Sequence, residues 1–183
     1  MDKHIAYKEM VCAPSPILIT VCDPVPQITQ DIKDLAHHML DVMYATDGCG
    51  LAAPQIGETI RLVVIDCEWG DGAKKRPYVL VNPKIITADE EPRSMNEGCL
   101  SYPGIMVCVT RPSHVICEAY NLEGELMRYE ARGNLLAACL QHECDHIDGT
   151  TIPDHLPLRE KTQKLIEYKH ALEAGARPGE VEI

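Results

Sequence analysis

Residues 141–149 read QHECDHIDG. Two histidines, His142 and His146, stand four apart, and Glu143 directly follows the first. On an α-helix, residues four apart share a face, so two imidazoles at this spacing can hold one metal ion. Glu143 is turned about a hundred degrees from that face. It is close enough to touch a water on the metal, but is not itself aimed at the metal. That is the disposition of a general base beside a hydrolytic metal centre. A buried helix with an incidental histidine explains one such residue. It does not explain two at ligand spacing with this glutamate between them.

A hydrolytic site needs three protein ligands and a water. A third histidine three residues beyond Gly149 is not available, because Ile152 stands there, and His155 comes too late for that register. A glutamate on a downstream helix, Glu160 or Glu167, would complete a zinc endopeptidase. Cysteine is the other source. Cys139, three before His142, can face the metal but reads as packing. Cys108 and Cys117 sit among apolar strand residues and read as core, and Cys144 points away from the histidine face. Cys99 differs: in NEGCLSYPG it follows a polar stretch and a glycine, where the backbone is free to turn a thiolate inward.

Residues 48–57, GCGLAAPQIG, contain the pattern G-x-G-x-x-A of a dinucleotide fingerprint. That fingerprint needs a strand before it and a helix after it. Here a helix precedes and a strand follows, so it is rejected. A helix C-cap accounts for Gly48. Gly50, Ala52 and Ala53 read instead as small residues allowing close approach, delivering a polar Gln55.

Taken together, GCGLAAPQ at 48–55, EGCLS at 97–101 and QHECDH at 141–146 resemble the peptide deformylase family in order and separation. VNPKI before the second segment and IPDHLP after the third strengthen the likeness, which covers about residues 29–160. The resemblance implies metal ligands at Cys99, His142 and His146, and the catalytic glutamate at Glu143. It implies oxyanion donors at the Gln55 side chain and the Leu100 backbone N–H, and a methionine pocket touched by Gly50, Cys49 and Cys139. The implied reaction is hydrolysis of the N-formyl group of formyl-methionine nascent peptides, releasing formate. One divalent metal per chain is implied, Fe(II) favoured, with Zn(II), Ni(II) or Co(II) compatible with the donors. Cys49 stands where the family more often has an aliphatic residue. A basic residue often found just after EGCLS is missing from GIMVCV.

These residues need a frame. The spacing of Ile32, Leu35, Ala36, Met39, Leu40 and Met43 predicts a helix from Thr29, its N-cap, to Tyr44, ended by Asp47-Gly48. RLVVID (61–66) and YVLVNPKII (78–86) predict strands joined by a polar, Gly-containing turn. Shorter strands are predicted at MVCVT, SHVICEAY and ELMRYE, the last two joined by a hairpin at Asn121–Gly124. A helix from about Asn134 to Ile147 carries the histidines, is apolar around most of its circumference, and should be buried. Gly149 stops it. An amphipathic helix follows over 157–173. The fold class expected is α+β: mainly antiparallel sheets packed around a buried central metal-binding helix, with one helix in the N-terminal half and one at the C-terminus. Residues 1–28, rich in proline, read as an extended arm and 174–183 as a flexible tail, with 1–183 forming a single catalytic domain.

Composition bounds the rest. The chain has 183 residues, 45% hydrophobic, with no Phe and one Trp, so aliphatic side chains must fill its core. Net charge is −11, which argues against broad nucleic-acid binding. The N-terminus lacks the apolar run of a secretory signal, and no stretch is long and apolar enough to span a membrane. Nine cysteines then read as reduced thiols in a cytoplasmic protein. The C-terminal helix carries Arg159, Lys161, Lys164 and Lys169 against Glu160 and Glu167. With Leu158, Leu165 and Ile166 facing the body, this basic side suggests a weak ribosome contact. The plainer reading is a solvated face with pairs such as Glu160–Lys164.

Overall fold

A computed structural model describes residues 1–70 and 73–180. Its elements, in chain order, are α1 (Lys3–Glu9), α2 (Gln30–Ala45), β1 (Gly50–Ala52), β2 (Leu62–Ile65), β3 (Tyr78–Asp89), β4 (Arg93–Gly98), β5 (Met106–Arg111), β6 (His114–Tyr120), β7 (Leu126–Arg132), α3 (Leu135–Ile147) and α4 (Leu158–Glu173). Single 3₁₀ turns cover Pro16–Ile19, Ala53–Ile56 and Ile152–His155. The fold is α+β, as expected.

One antiparallel sheet has the order β1-β2-β3-β6-β7, and β4 and β5 form a separate hairpin. The β2 strand is buried along its whole length, which is why LVVI shows no alternation. The α3 helix lies across β1, β2, β6 and β7. It begins where the Asn134 side chain accepts the Ala137 N–H at 3.0 Å. It ends before Gly149, whose φ is +72° and whose hydrogen leaves room for the Ile19 carbonyl; a Cβ there would sit 2.8 Å from that oxygen. Ten of its thirteen residues are buried, from Ala137 to Ile147. The α2 helix buries Ala36, Met39, Val42 and Met43 against β1 and β2.

The arm is not simply extended. Asp2 caps α1 by accepting from the His4 and Ile5 N–H groups, and the helix packs on α2. Farther on, Asn82 of β3 binds both the N–H and the carbonyl of Val25, at 2.8 and 2.9 Å, clamping the arm to the sheet. The tail is also tied down as far as Glu180. The Glu180 carbonyl accepts the Gly104 N–H at 2.9 Å, and Gly179 lies directly on the Thr46 carbonyl. Residues 181–183 of the expected tail, and 71–72 of the expected β2–β3 turn, lie outside the described residues.

The α4 helix faces the body differently from its expected orientation. Leu158, Leu165 and Ile166 are 80, 38 and 45% exposed, and Tyr168 is the buried anchor. Its hydroxyl donates to the Ala13 carbonyl at 2.9 Å and reaches the Ser101 carbonyl at 3.5 Å, joining the arm, the segment after β4 and α4. Cys108 is a second correction. Val107, Val109 and Arg111 of β5 point inward, so strand alternation turns Cys108 out to solvent.

Candidate metal centre

The α3 helix brings His142 and His146 to one face with ring centroids 5.0 Å apart. Cys99 arrives from the end of β4, where the chain leaves the hairpin. Its Sγ lies 3.2 Å from His146 Nε2. Donor atoms of Cys99, His142 and His146 all fall within 4.8 Å of one another, and all three residues are buried. One soft thiolate and two imidazoles at such separations suit a first-row divalent ion. His146 Nδ1 and Glu143 Oε2 are buried with no hydrogen-bond partner among the described residues. Burial, followed by the charges of His142 and Arg111, pushes the His146 pKa well down. The neutral imidazole is the form that ligates a metal.

A polar network that the sequence reading missed holds His142. Its Nδ1 faces Glu97 Oε2 at 2.9 Å, which leaves Nε2 for the Cys99 side. Arg111 grips Glu97 in a bidentate pair, at 2.6 and 2.9 Å, and extends its remaining nitrogen to Asp145 at 2.8 Å. Asp145 in turn meets His155 at 2.8 Å. Burial alone would push the Glu97 carboxyl up. Its bonds to His142 and Arg111 more than reverse this and hold it at about 2. The signal was present: Arg111 stands in period with Val107 and Val109, so a charge at a core position demanded a buried partner.

This network gives a pH-dependent prediction. A carboxylate whose folded pKa is depressed stabilises the fold above its ordinary value of 4.5, and that stabilisation is lost as pH falls toward about 2. Glu97→Gln leaves Arg111 with a weaker partner and should cost about 3–5 kcal/mol near neutrality. The gap from wild type should narrow below about pH 4.5. Urea unfolding of the metal-free proteins across this range measures it, and a gap that stays constant with pH would refute the role of the charge.

Glu143 is buried beside the ligands. Burial is the main cause raising its carboxyl pKa, to about 8, with Cys49 and Glu97 adding to it. The β1 backbone lies hard against it: a Cβ on Gly50 would come 2.3 Å from Glu143 Oε1 and 2.8 Å from Cys139 Sγ. Close approach is thus the reason for Gly50, as the small-residue pattern implied. Gly48 closes the end of α2, its N–H donating to the Met43 carbonyl at 2.9 Å, and a Cβ there would also meet Leu100 Cδ1 at 2.8 Å. Gln55 Oε1 accepts the Ala52 N–H at 2.8 Å, so its Nε2 faces Ser101 Oγ at 3.3 Å and Cys99 Sγ at 3.7 Å. The Leu100 N–H makes no backbone hydrogen bond among the described residues.

A cleft of about 280 Å³ opens onto these groups. Cys49, Gly50, Leu100, Leu135, Ala138 and Cys139 give it apolar walls, and Gly179 and Glu180 stand in its lining as well. Met106 lines the cleft within the GIMVCV stretch that lacks the basic residue. The alternative third ligands do not come near. Glu160 lies exposed on α4, and Glu167, half-buried there, is bonded to Lys164 at 2.7 Å.

Comparison with known proteins places this arrangement. A model of the family described as Polypeptide deformylase matches residues 7–162. The peptide deformylase of Acinetobacter baumannii (strain SDF) is 44% identical over 171 residues, covering 90% of this chain and 95% of its own. That of Rhizobium meliloti (strain 1021) is 43% identical over 152 residues, covering 83% and 86%. Among solved structures, a peptide deformylase from Legionella pneumophila superposes with a TM-score of 0.82 at 34% identity, covering 91% of this chain and 96% of that one. One from Synechococcus elongatus in complex with actinonin gives 0.77 at 34% identity, covering 90% and 84%. Fold and likeness define the class, a metal-dependent hydrolase. The chain belongs to the peptide deformylase family.

Proposed function

We propose that Cys99, His142 and His146 hold one divalent metal ion, and that Glu143, Gln55 and the Leu100 N–H work around it. The chain is a metal-dependent hydrolase that removes the N-formyl group from the N-terminal methionine of newly made proteins, releasing formate. The residue assignment rests above all on the buried carboxylate of Glu143 lying beside the converging Cys99, His142 and His146 donors.

When bound, the ion polarises the formyl oxygen and acidifies a water. Glu143 accepts a proton from the attacking water and returns it to the departing α-amine. Gln55 Nε2 and the Leu100 N–H donate to the oxyanion, and one such donor is worth about 3 kcal/mol. Glu97 holds the His142 ring through Nδ1. The methionine side chain enters the apolar cleft between Cys49, Gly50 and Cys139, where its burial contributes about 1.5–3 kcal/mol.

Fe(II) is the metal we favour, on the strength of the family likeness; Zn(II), Ni(II) and Co(II) suit the same donors. Formate release from a formyl-Met peptide tests the reading, with enzyme loaded separately with each metal. Turnover by none of them would overturn it. The iron form should fade in air faster than the nickel form, because iron and thiolate are both oxidisable. Equal lifetimes would count against iron.

No helix among the described residues is long and apolar enough to cross a membrane. Nine free thiols support a reducing, cytoplasmic setting. One catalytic domain over 1–183 is supported by the docking of α1 on α2 and by the Tyr168 hydroxyl bonds. We extend the proposal to a weak ribosome contact through α4. Lys161 is paired with Asp154 at 2.5 Å, and Lys164 with Glu167 rather than Glu160. Arg159, which has no ion pair among the described residues, and Lys169, 75% exposed and only loosely paired with Glu173 at 3.9 Å, are therefore the cations to reverse. Changing both to Glu should weaken co-sedimentation with ribosomes, most visibly at low salt, and leave short-peptide hydrolysis unchanged. Unaltered sedimentation would make α4 packing alone.

A further inference from the structure

Three cysteines outside the proposed ligand set converge beside the cleft. Cys49 comes from the turn before β1, Cys67 from just beyond β2, and Cys139 from α3, one turn ahead of His142. Their three Sγ atoms lie within 4.8 Å of one another. The Cys49 and Cys139 sulfurs, 90 residues apart in sequence, are 3.9 Å apart, far outside the length of a disulfide bond. A single buried cysteine is an ordinary small apolar residue. Three thiols brought together from three segments are a donor set. Cys117 and Cys144 also meet, but no third ligating group joins them among the described residues.

We propose that Cys49, Cys67 and Cys139 form a second metal site, suited to a soft d¹⁰ cation, Cu(I), whose occupation obstructs the cleft. Three sulfurs around an ion at a metal–sulfur length of about 2.3 Å stand about 4 Å apart in a planar trigonal site. The 3.9 Å between Cys49 and Cys139 already meets that spacing. Soft thiolates select soft ions, and the grouping is three thiols with no imidazole or carboxylate among them, which suits a three-coordinate ion better than a tetrahedral one. Cys49 and Cys67 are only half-buried, and Cys49 and Cys139 form part of the cleft wall, so an ion has a way in. The site shares no donor with Cys99, His142 and His146. Its inhibitory effect rests on the proposal that the methionine side chain lies between Cys49 and Cys139.

The test uses enzyme already loaded with nickel at its catalytic site. Cu(I) is titrated without oxygen against a chromogenic Cu(I) chelator, and bound nickel and formate release are followed together. Wild type should take up one Cu(I) per chain, with sulfur-to-copper charge-transfer absorption, keep its nickel, and lose turnover in step with Cu(I) uptake. Cys67→Val, which removes a direct ligand, should bind Cu(I) more than about 100-fold more weakly while retaining nickel and turnover. Cys67→Ser, with nickel content reporting its folding, serves if the valine variant is unstable. Cu(I) uptake that is unchanged in these variants, or that displaces nickel one for one, would overturn the site. Uptake that depends on Cys67 but leaves turnover intact would uphold the site and overturn the placement of the methionine side chain.

Discussion

Glu143→Gln is expected to keep its metal and lose nearly all turnover, on the order of 10²–10⁴-fold. The substitution conserves shape in a place where shape is tight, since Gly50 of β1 touches this side chain. It removes the buried carboxyl group that the proposed reaction uses to take up and return a proton. Glu143 is not among the donors that cluster with Cys99, so metal content should stay at one per chain. Metal analysis alongside formate release decides the matter. Full metal content with a near wild-type rate would remove Glu143 from the chemistry.

The second large effect is expected at Cys99. Cys99→Ser replaces a soft thiolate with a hydroxyl at a position 3.2 Å from His146 Nε2. Loss of a direct ligand should exceed the 10–100-fold weakening typical of removing an outer hydrogen-bond partner. Cys108→Ser is the matched control. Its thiol is exposed on β5, and a surface exchange of this kind stays within about 0.5 kcal/mol. Metal retained by the Cys99 variant and lost by the Cys108 variant would mean the wrong thiol had been assigned.

The contrast between these two cysteines shows what the sequence carries. The histidine pair is legible because both residues lie on one helix, whose period fixes their relation. The buried helix read from about Asn134 to Ile147 is α3, which starts at Leu135 with Asn134 as its N-cap. The strands at 61–66 and 78–86 became β2 and β3, β3 running three residues farther to Asp89. By contrast, RSMNEG shows no apolar alternation, so β4 was invisible until its pairing with β5 was known. The GLA strand, β1, is too short to have a period. The α1 helix has seven residues and depends on its cap and on α2, while the prolines after it suggested an extended chain. Cys108 was misread as core although Val107 and Val109 on either side of it fix the inward face. The Glu97–Arg111 pair is a relation between strands: Arg111 stands on the inward face of β5, but nothing in RSMNEG marks Glu97 as its partner.

The Tyr168 hydroxyl, held by the Ala13 and Ser101 carbonyls, sets an order of events in the making of this protein. Ser101 lies two residues from Cys99, and the Ser101 carbonyl also receives the Ala13 N–H at 3.0 Å. The segment that carries the thiolate is therefore fastened by residues synthesised near the start and near the end of the chain. Domains form from the N-terminus as synthesis proceeds, so this fastening is completed only after α4 has emerged and docked. A metal site that includes Cys99, as proposed, would gain its full rigidity only at that point.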